Sequence, residues 1–306
     1  MRAAVVREPG TTTAIEFIDT ATPDVGPGDI RIKVAAAGVN PIDLYTRNGF
    51  LHEAGALERG VQTGLGWEVA GVVDAVGAEV TDFAVGDRVA ALTTTMTAPI
   101  AGYADYLVVE AKGAAHIPDD LAFAPASVLP VSALTADQAI ALSGVKQGDS
   151  LLVTGAAGMV GGFTVQLAAR QGVKVIAVAS KSDEPVLREW GADLVIDRDT
   201  DVAAAVKNIY PDGADAAIDA AIIVEPALAA VRAGGKYVGV RPMDVPTSDV
   251  VDVVSVWVEQ DSARLAELAR TDLDIRVAQT LPLTDARLAH EIAEKGGVRG
   301  RIVLEP

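Results

Sequence analysis

The chain has no cysteine, and its three histidines, His52, His116 and His290, lie far apart in sequence. The missing thiols exclude disulfides, thiolate nucleophiles and any zinc site built on sulfur. With the histidines scattered, no metal site is expected. Basic runs are absent too, and the net charge is −17, so attraction to phosphate backbones or anionic lipid cannot drive binding. Nucleic acid and membrane surfaces are therefore poor partners. No segment approaches the roughly 18 uninterrupted apolar residues of a membrane span, and the opening MRAAVVREPG lacks the apolar core of an export signal. A cytoplasmic enzyme is the expectation. What the chain does have is apolar side chain, 50% of 306 residues. That is enough for a sizeable core, and the length favours two domains.

Up to residue 116 the pattern is one of short β segments punctuated by Gly and Pro: AAVV, AIEFI, IRIKVAAAG, WEVAGVVDAVG, GDRVAAL and YADYLVV. These alternating or wholly apolar runs predict a compact, barrel-like β domain. From 117 the rhythm changes to helices alternating with near-continuous apolar strands, SLLVTG, VKVIAVAS, LVID, DAAIDA and KYVGV. That alternation predicts a parallel sheet covered on both faces. The tail from 275 holds a helix, LTDARLAHEIAEKGG, and a strand, RIVLEP, with no helix after it. It is expected to return to the first domain. The predicted organisation is residues 1–116 with 275–306 as the β domain and 117–274 as the α/β domain.

One turn carries chemistry. Ala156-Ala157-Gly158-Met159-Val160-Gly161 follows SLLVT and opens a helix, FTVQLAARQG. It is an A-x-G-x-x-G version of the dinucleotide fingerprint. Gly158 would let the backbone approach a pyrophosphate, and Gly161 would let helix and strand pack closely. The helix N-terminus would supply free N–H groups and the positive end of a dipole. A bare hexapeptide serves equally as a tight turn without a ligand, but its place in a βαβ unit of about 30 residues favours the nucleotide. At the end of the next strand an NAD site places an acidic residue for the ribose hydroxyls. Here stand Ser180 and Lys181, which suit a 2′-phosphate and so NADPH. The competing reading leaves Lys181 in solvent and gives the ribose to Asp183 or Glu184.

The chain resembles, almost end to end, a zinc-independent medium-chain dehydrogenase/reductase of the quinone oxidoreductase group. The resemblance rests on MRAAVV, AAGVNPIDLYTRNG, GWEVAGVVDAVG, GDRVAAL, GYADYLVV, LPVSALTADQAI, the A-x-G-x-x-G turn, GADLVID and GRIVLEP. It implies a GroES-like β-barrel catalytic domain and a Rossmann doubly wound parallel-sheet domain, with NADPH in the cleft between them and a homodimer as the assembly. Zinc relatives carry a Cys where this chain has Asn40 and a His where it has Trp67. Without a Lewis acid to acidify an alcohol, the implied reaction is hydride transfer to an acceptor that is already electrophilic, a quinone or an α,β-unsaturated carbonyl.

In the resembling family the Asn and Tyr of N-P-I-D-L-Y face the nicotinamide and substrate, which assigns Asn40 as an amide donor to the acceptor oxygen and Tyr45 as an aromatic wall or phenol donor. Asn40-Pro41 also reads as a helix cap with a first-turn proline, with Asp43 carrying favourable charge there. Thr135 matches a threonine near the nicotinamide, against the alternative of a helix hydroxyl bonded one turn back. Arg198 falls where relatives place a tyrosine near the adenosine phosphate; a surface ion pair is its other reading. Two departures stand out. Met159 replaces a common glycine, and Asp219-Ala220-Ala221-Ile222 replaces D-x-x-G, which puts backbone approach at Ile222 in doubt. His52 sits in a variable loop and could relay a proton or face solvent; His116 and His290 read as structural. The loop 50–65 and the segment 242–260 match no motif and would shape the pocket. An enoyl-thioester reductase and a non-catalytic NADPH-binding protein are the alternative functions.

Overall fold

A computed structural model describes residues 1–241 and 245–306. The first three positions of the segment 242–260 thus lie outside the described residues. The strands and helices, in chain order, begin with β1 (Arg2–Val6), β2 (Glu16–Asp19), β3 (Asp29–Gly38), α1 (Pro41–Asn48), α2 (Phe50–Glu53), β4 (Thr63–Gly64), β5 (Glu68–Val76), β6 (Arg88–Leu92), β7 (Tyr106–Glu110), β8 (Ala114–His116), α3 (Phe123–Ala126) and α4 (Leu129–Ser143). There follow β9 (Ser150–Thr154), α5 (Met159–Arg170), β10 (Lys174–Ala179), α6 (Glu184–Glu189), β11 (Leu194–Asp197), α7 (Val202–Lys207), β12 (Ala214–Asp219), α8 (Glu225–Ala229), β13 (Val231–Gly239) and β14 (Asp252–Ser255). The chain closes with α9 (Ser262–Arg270), β15 (Val277–Pro282), α10 (Ala286–Lys295) and β16 (Arg301–Glu305).

Two compact units result, Met1–Val131 with Glu259–Pro306, and Ser132–Val258. The first builds a seven-stranded sheet, β15-β16-β3-β5-β6-β8 with β7 on β3, and a small sheet, β2-β1-β4. Period-two patterning drives it: in β3, Ile30, Ile32 and Val34 are buried and face a core with Val69, Val73, Val89, Leu107 and Ile302. The closing RIVLE strand, β16, pairs antiparallel with β3, so the tail does return to this unit. The unit is wider than the expected 1–116 with 275–306. Two contacts that local pattern does not reveal hold the extra segments. Val131 N–H donates to the Glu68 carboxylate at 2.8 Å, and Gln260 Nε2 donates to the Leu92 carbonyl at 2.8 Å.

The second unit is one six-stranded sheet in the order β11-β10-β9-β12-β13-β14, with every pairing parallel. All five residues of β9 are buried, as a strand covered on both faces requires. The order runs one way from β9 to β11 and the other way from β12 to β14. The switch point between β9 and β12 is where open α/β sheets bind ligands, beyond the strands' carboxyl ends. By length and hydropathy the stretch 123–143 would pass for a membrane span, yet 72% of that window is buried inside the protein. Such burial is that of a core helix.

Candidate active site

In the second unit the carboxyl ends of four strands line up, Thr154 of β9 against Val178 of β10 and Asp219 of β12, and Ala179 of β10 against Asp197 of β11. Ala156 N–H bonds the Val178 carbonyl at 3.1 Å, which pins the start of the glycine turn to the sheet. Ala156 and Ala157 are buried, while Gly158 is exposed and caps α5. The first N–H groups of α5, from Met159 onward, precede the helix's own ladder of carbonyls, as at any helix N-terminus. A Cβ on Gly161 would stand 2.2 Å from the Gly155 carbonyl oxygen, so helix and turn approach as closely as the fingerprint demands. A Cβ on Gly158 would meet only that oxygen, at 3.2 Å. The surface it leaves bare is the space over the N-terminus of α5. This cradle fits a dinucleotide pyrophosphate.

Beside it, half-buried Ser180 and exposed Lys181 follow β10. Arg198 follows β11, and its backbone N–H bonds the Ala179 carbonyl at 2.8 Å, which draws the two strand ends together. Its guanidinium is exposed and lies 3.9 Å from Asp199, both side chains largely in solvent, a pair that contributes little. Thr135 is buried in α4. Among the described residues its hydroxyl makes no hydrogen bond, whereas Thr164 in α5 does back-bond, to Val160 at 2.8 Å.

Sequence reading missed what organises this end of the sheet. The buried Asp219 carboxylate accepts from Thr154 Oγ1, from Tyr237 Oη at 2.8 Å, and from the N–H groups of Ile223 and Val224 at 3.2 and 2.9 Å. Thr154 Oγ1 in turn accepts from Ala221 N–H at 3.0 Å. The network forces the loop after β12 into shape. Ile222 and Val224 take φ of 57° and 51°, left-handed values that cost a β-branched residue about 1–3 kcal/mol. The departure from D-x-x-G is thus a strained backbone with an isoleucine where glycine would be relaxed.

The first unit gathers a different cluster. Asn40 caps α1, Pro41 takes its first position, and the Asp43 carboxylate accepts the Asn40 N–H at 2.8 Å. The capping reading therefore describes the backbone correctly. The other Asp43 oxygen accepts Gly66 N–H at 2.8 Å, so one side chain ties α1 to the turn before β5. Complete burial pushes the Asp43 carboxyl up to about 7, against the downward pull of those two N–H groups. Asn40 and Asp43 face each other as a capping box, in which the Asp43 carboxylate accepts the Asn40 N–H while the Asn40 side chain lies against the Asp43 N–H without closing a hydrogen bond. Asn40, itself buried, sends Nδ2 to Glu68 Oε1 at 2.8 Å and, weakly, to the Gly38 carbonyl at 3.4 Å. Among the described residues its Oδ1, which is buried, has no hydrogen-bond partner. The amide proton assigned above to the acceptor oxygen is thus committed inside the protein.

Glu68, fully buried, accepts from Asn40 and Val131 and stands 3.8 Å from Arg301 Nε. Burial raises its carboxyl and lowers the Arg301 guanidinium. Tyr45 is half-buried against Phe50, ring centroids 4.8 Å apart, and among the described residues its hydroxyl has no partner. His290 is structural, edge-on to Tyr103, its pKa lowered to about 3 by burial. His52 holds a buried, unpartnered Nδ1, and burial lowers its pKa too.

Comparison with known proteins agrees with both units. Residues 26–119 match the profile of the alcohol dehydrogenase GroES-like domain, and residues 160–262 that of the zinc-binding dehydrogenases. The chain is 31% identical over 282 residues to the chloroplastic NADPH-dependent alkenal/one oxidoreductase of Arabidopsis thaliana, spanning 86% of this chain and 71% of that protein. Among solved structures it superposes on the quinone oxidoreductase of Coxiella burnetii with a TM-score of 0.86, at 28% identity over 100% and 99% of the two chains. A mycobacterial protein solved with NADPH gives 0.85, at 28% identity over the whole of both chains. The second profile names zinc, and the donor set here does not fit it. Asn40 offers a neutral amide in place of a thiolate, Trp67 an indole that only donates, and the chain has no cysteine.

Proposed function

The chain belongs to the medium-chain dehydrogenase/reductase family, in its quinone oxidoreductase group, and from that premise we propose an NADPH-dependent reduction of quinones or α,β-unsaturated carbonyls without a metal. The observation that carries the NADPH preference is the backbone bond from Arg198 to Ala179. It sets Lys181 and Arg198 at adjacent strand ends, two cations where an NAD site would present a carboxylate. Ala156 to Gly161 would hold the pyrophosphate on the free N–H groups of α5. Ser180, Lys181 and Arg198 would hold the 2′-phosphate, and Thr135, whose hydroxyl is not spent on its helix, the nicotinamide end.

Bound NADPH would supply the hydride. The first unit's part is to receive the acceptor and meet the charge that builds on its oxygen. For a quinone that oxygen becomes a hydroxyl; for an enone, hydride at the β-carbon leaves an enolate that takes a proton from solvent. Tyr45 has an uncommitted hydroxyl for this oxygen and a ring to wall the site. Asn40 lies on the same helix cap, held by Asp43 and Glu68. The Tyr45 hydroxyl and a fixed spacing, rather than a Lewis acid, then supply the stabilisation.

The test compares kcat/KM for NADPH and NADH over a panel of quinones, enones and enoyl thioesters. NADPH should win by tenfold or more on the cost of losing a charge-assisted phosphate contact, and Lys181→Ala with Arg198→Ala should remove the margin. A preference for NADH would overturn the cofactor assignment. Preference for enoyl thioesters alone would move the substrate class. We also propose a homodimer that extends the six-stranded sheet. β14 is its terminal strand, and Val250 and Trp257 beside it are exposed. Light scattering at micromolar concentration checks the mass.

A further inference from the structure

The unpartnered Asn40 Oδ1 has a definite cause, and the cause is Glu68. An asparagine amide can sit either way round, so its orientation follows from its fixed neighbours. Glu68 is a pure acceptor when ionised. Its Oε2 is taken by Val131 N–H at 2.8 Å, and its Oε1 faces Asn40 at 2.8 Å with Arg301 Nε 3.8 Å away. With Glu68 ionised beside Arg301, only the NH2 side of Asn40 satisfies that oxygen. The carboxylate lies close against β3, where a Cβ on Gly38 would stand 2.2 Å from Oε1. The second amide proton points toward the Gly38 carbonyl, 3.4 Å from Nδ2. The remaining group, Oδ1, is buried and unpaired. An orphan acceptor in a folded protein calls for a ligand, a water or a chemical role.

We infer that Glu68 is a positioning residue that fixes the polarity of the site, so that Asn40 presents a hydrogen-bond acceptor and pairs with an O–H donor. The donor is the hydroxyl of a reduced quinone or a water that passes its other proton to the substrate and regains one from solvent. A quinone or enone carbonyl, which only accepts, gains nothing from Asn40 directly. Asn40 thereby favours the reduced product or its proton source, and the unreduced carbonyl depends on Tyr45 and water. The inference rests on the reading of the first unit as the acceptor site.

Glu68→Gln tests it by chemistry rather than by loss. The Val131 N–H cannot turn, so it takes the new side-chain oxygen. The Gln NH2 then faces Asn40, whose amide must rotate to offer Oδ1 inward and NH2 outward. The site changes from acceptor to donor with almost no change of shape. The probes are durohydroquinone and duroquinone, nearly the same shape and opposite in hydrogen-bonding sense, titrated anaerobically without NADPH by calorimetry. The wild type should bind the hydroquinone about threefold to tenfold more tightly, the worth of one neutral hydrogen bond. In Glu68→Gln that ratio should fall to one or reverse. A Glu68 that is merely structural would lower thermal stability and both affinities while leaving the ratio unchanged, and that outcome overturns the inference.

A second readout needs no variant. The chain has three asparagines, Asn40, Asn48 and Asn208, so ¹⁵N-asparagine labelling gives three side-chain amide pairs. The Asn40 pair should be protected from solvent exchange and should stay protected when durohydroquinone is added, because the new bond is made by oxygen. Exchange at the rate of Asn48 or Asn208 would overturn the assignment even if Glu68→Gln does not fold. If neither probe binds the wild type, the reading of the first unit as the acceptor site fails, and fast exchange of the Asn40 amide would by itself overturn its bond to Glu68.

Discussion

Each unit builds its candidate site on a buried carboxylate at a strand end, yet the two are finished differently. Asp219, at the end of β12, is saturated by Thr154, Tyr237 and two backbone N–H groups. Glu68, at the start of β5, is saturated too, but it leaves a neighbour, Asn40, with a bare oxygen. In a low-dielectric interior a complete network rigidifies, whereas an incomplete one stores an unmet demand. The second unit spends its buried polar groups on holding a backbone in shape for a nucleotide. The first keeps one in reserve for a molecule that arrives.

The largest way to break that contrast is Asp219→Ala. It strands four donors in the interior and should cost about 3–5 kcal/mol, read from urea unfolding, with Asp219→Asn intermediate. Asn40→Ala, which removes an unmet acceptor along with its bond to Glu68, should cost less than half as much. Next comes Gly161→Ala. A methyl 2.2 Å from a carbonyl oxygen must part α5 from the turn, at about 1–3 kcal/mol, and NADPH affinity measured by fluorescence should fall at least tenfold on the same energy scale.

His290 sharpens the contrast through pH. Folding lowers its pKa from 6.5 to about 3, so below pH 6.5 the unfolded chain binds a proton that the native state refuses. Its contribution is fully present above pH 6.5 and is lost as pH falls toward 3, with a slope of up to about 1.4 kcal/mol per pH unit. Asp43, raised to about 7, acts in the opposite sense and loses stability as pH rises from about 4 to 7. The difference in urea-unfolding free energy between wild type and His290→Leu, followed from pH 7 to 4, should therefore shrink steadily. The smallest effect is a gain. Ile222→Gly relieves a left-handed backbone and should add about 0.5–1 kcal/mol after the entropy of glycine is charged against it, seen as a higher midpoint in thermal unfolding.

Local signals in the sequence were legible and distant ones were not. The glycine turn could be read because its parts are contiguous and flanked by a strand and a helix whose patterns are themselves local. Ser180 and Lys181 followed from counting onward, and the doubt about Ile222 from comparison with D-x-x-G. Asp43 as a capping residue was legible from three positions; its grip on Gly66 was not, because 23 residues separate them. The sense of the Asn40 amide depends on Glu68, 28 residues away, and on a backbone N–H at Val131. The unit boundary at 131 moved for the same reason. No periodicity announces that a helix start will bond a strand on the far side of its unit.

The most direct measurement is transfer of label. NADPH carrying deuterium at C4 of the dihydronicotinamide, mixed with the protein and a simple enone in ordinary water, should yield a saturated ketone with deuterium at the β-carbon and a solvent proton at the α-carbon. Both C4 stereoisomers are run, and one of them should pass its label. If NADPH binds but no label reaches the enone from either isomer, and none is lost to a quinone in a parallel reaction, the account of this chain as a metal-free reductase of activated acceptors is wrong.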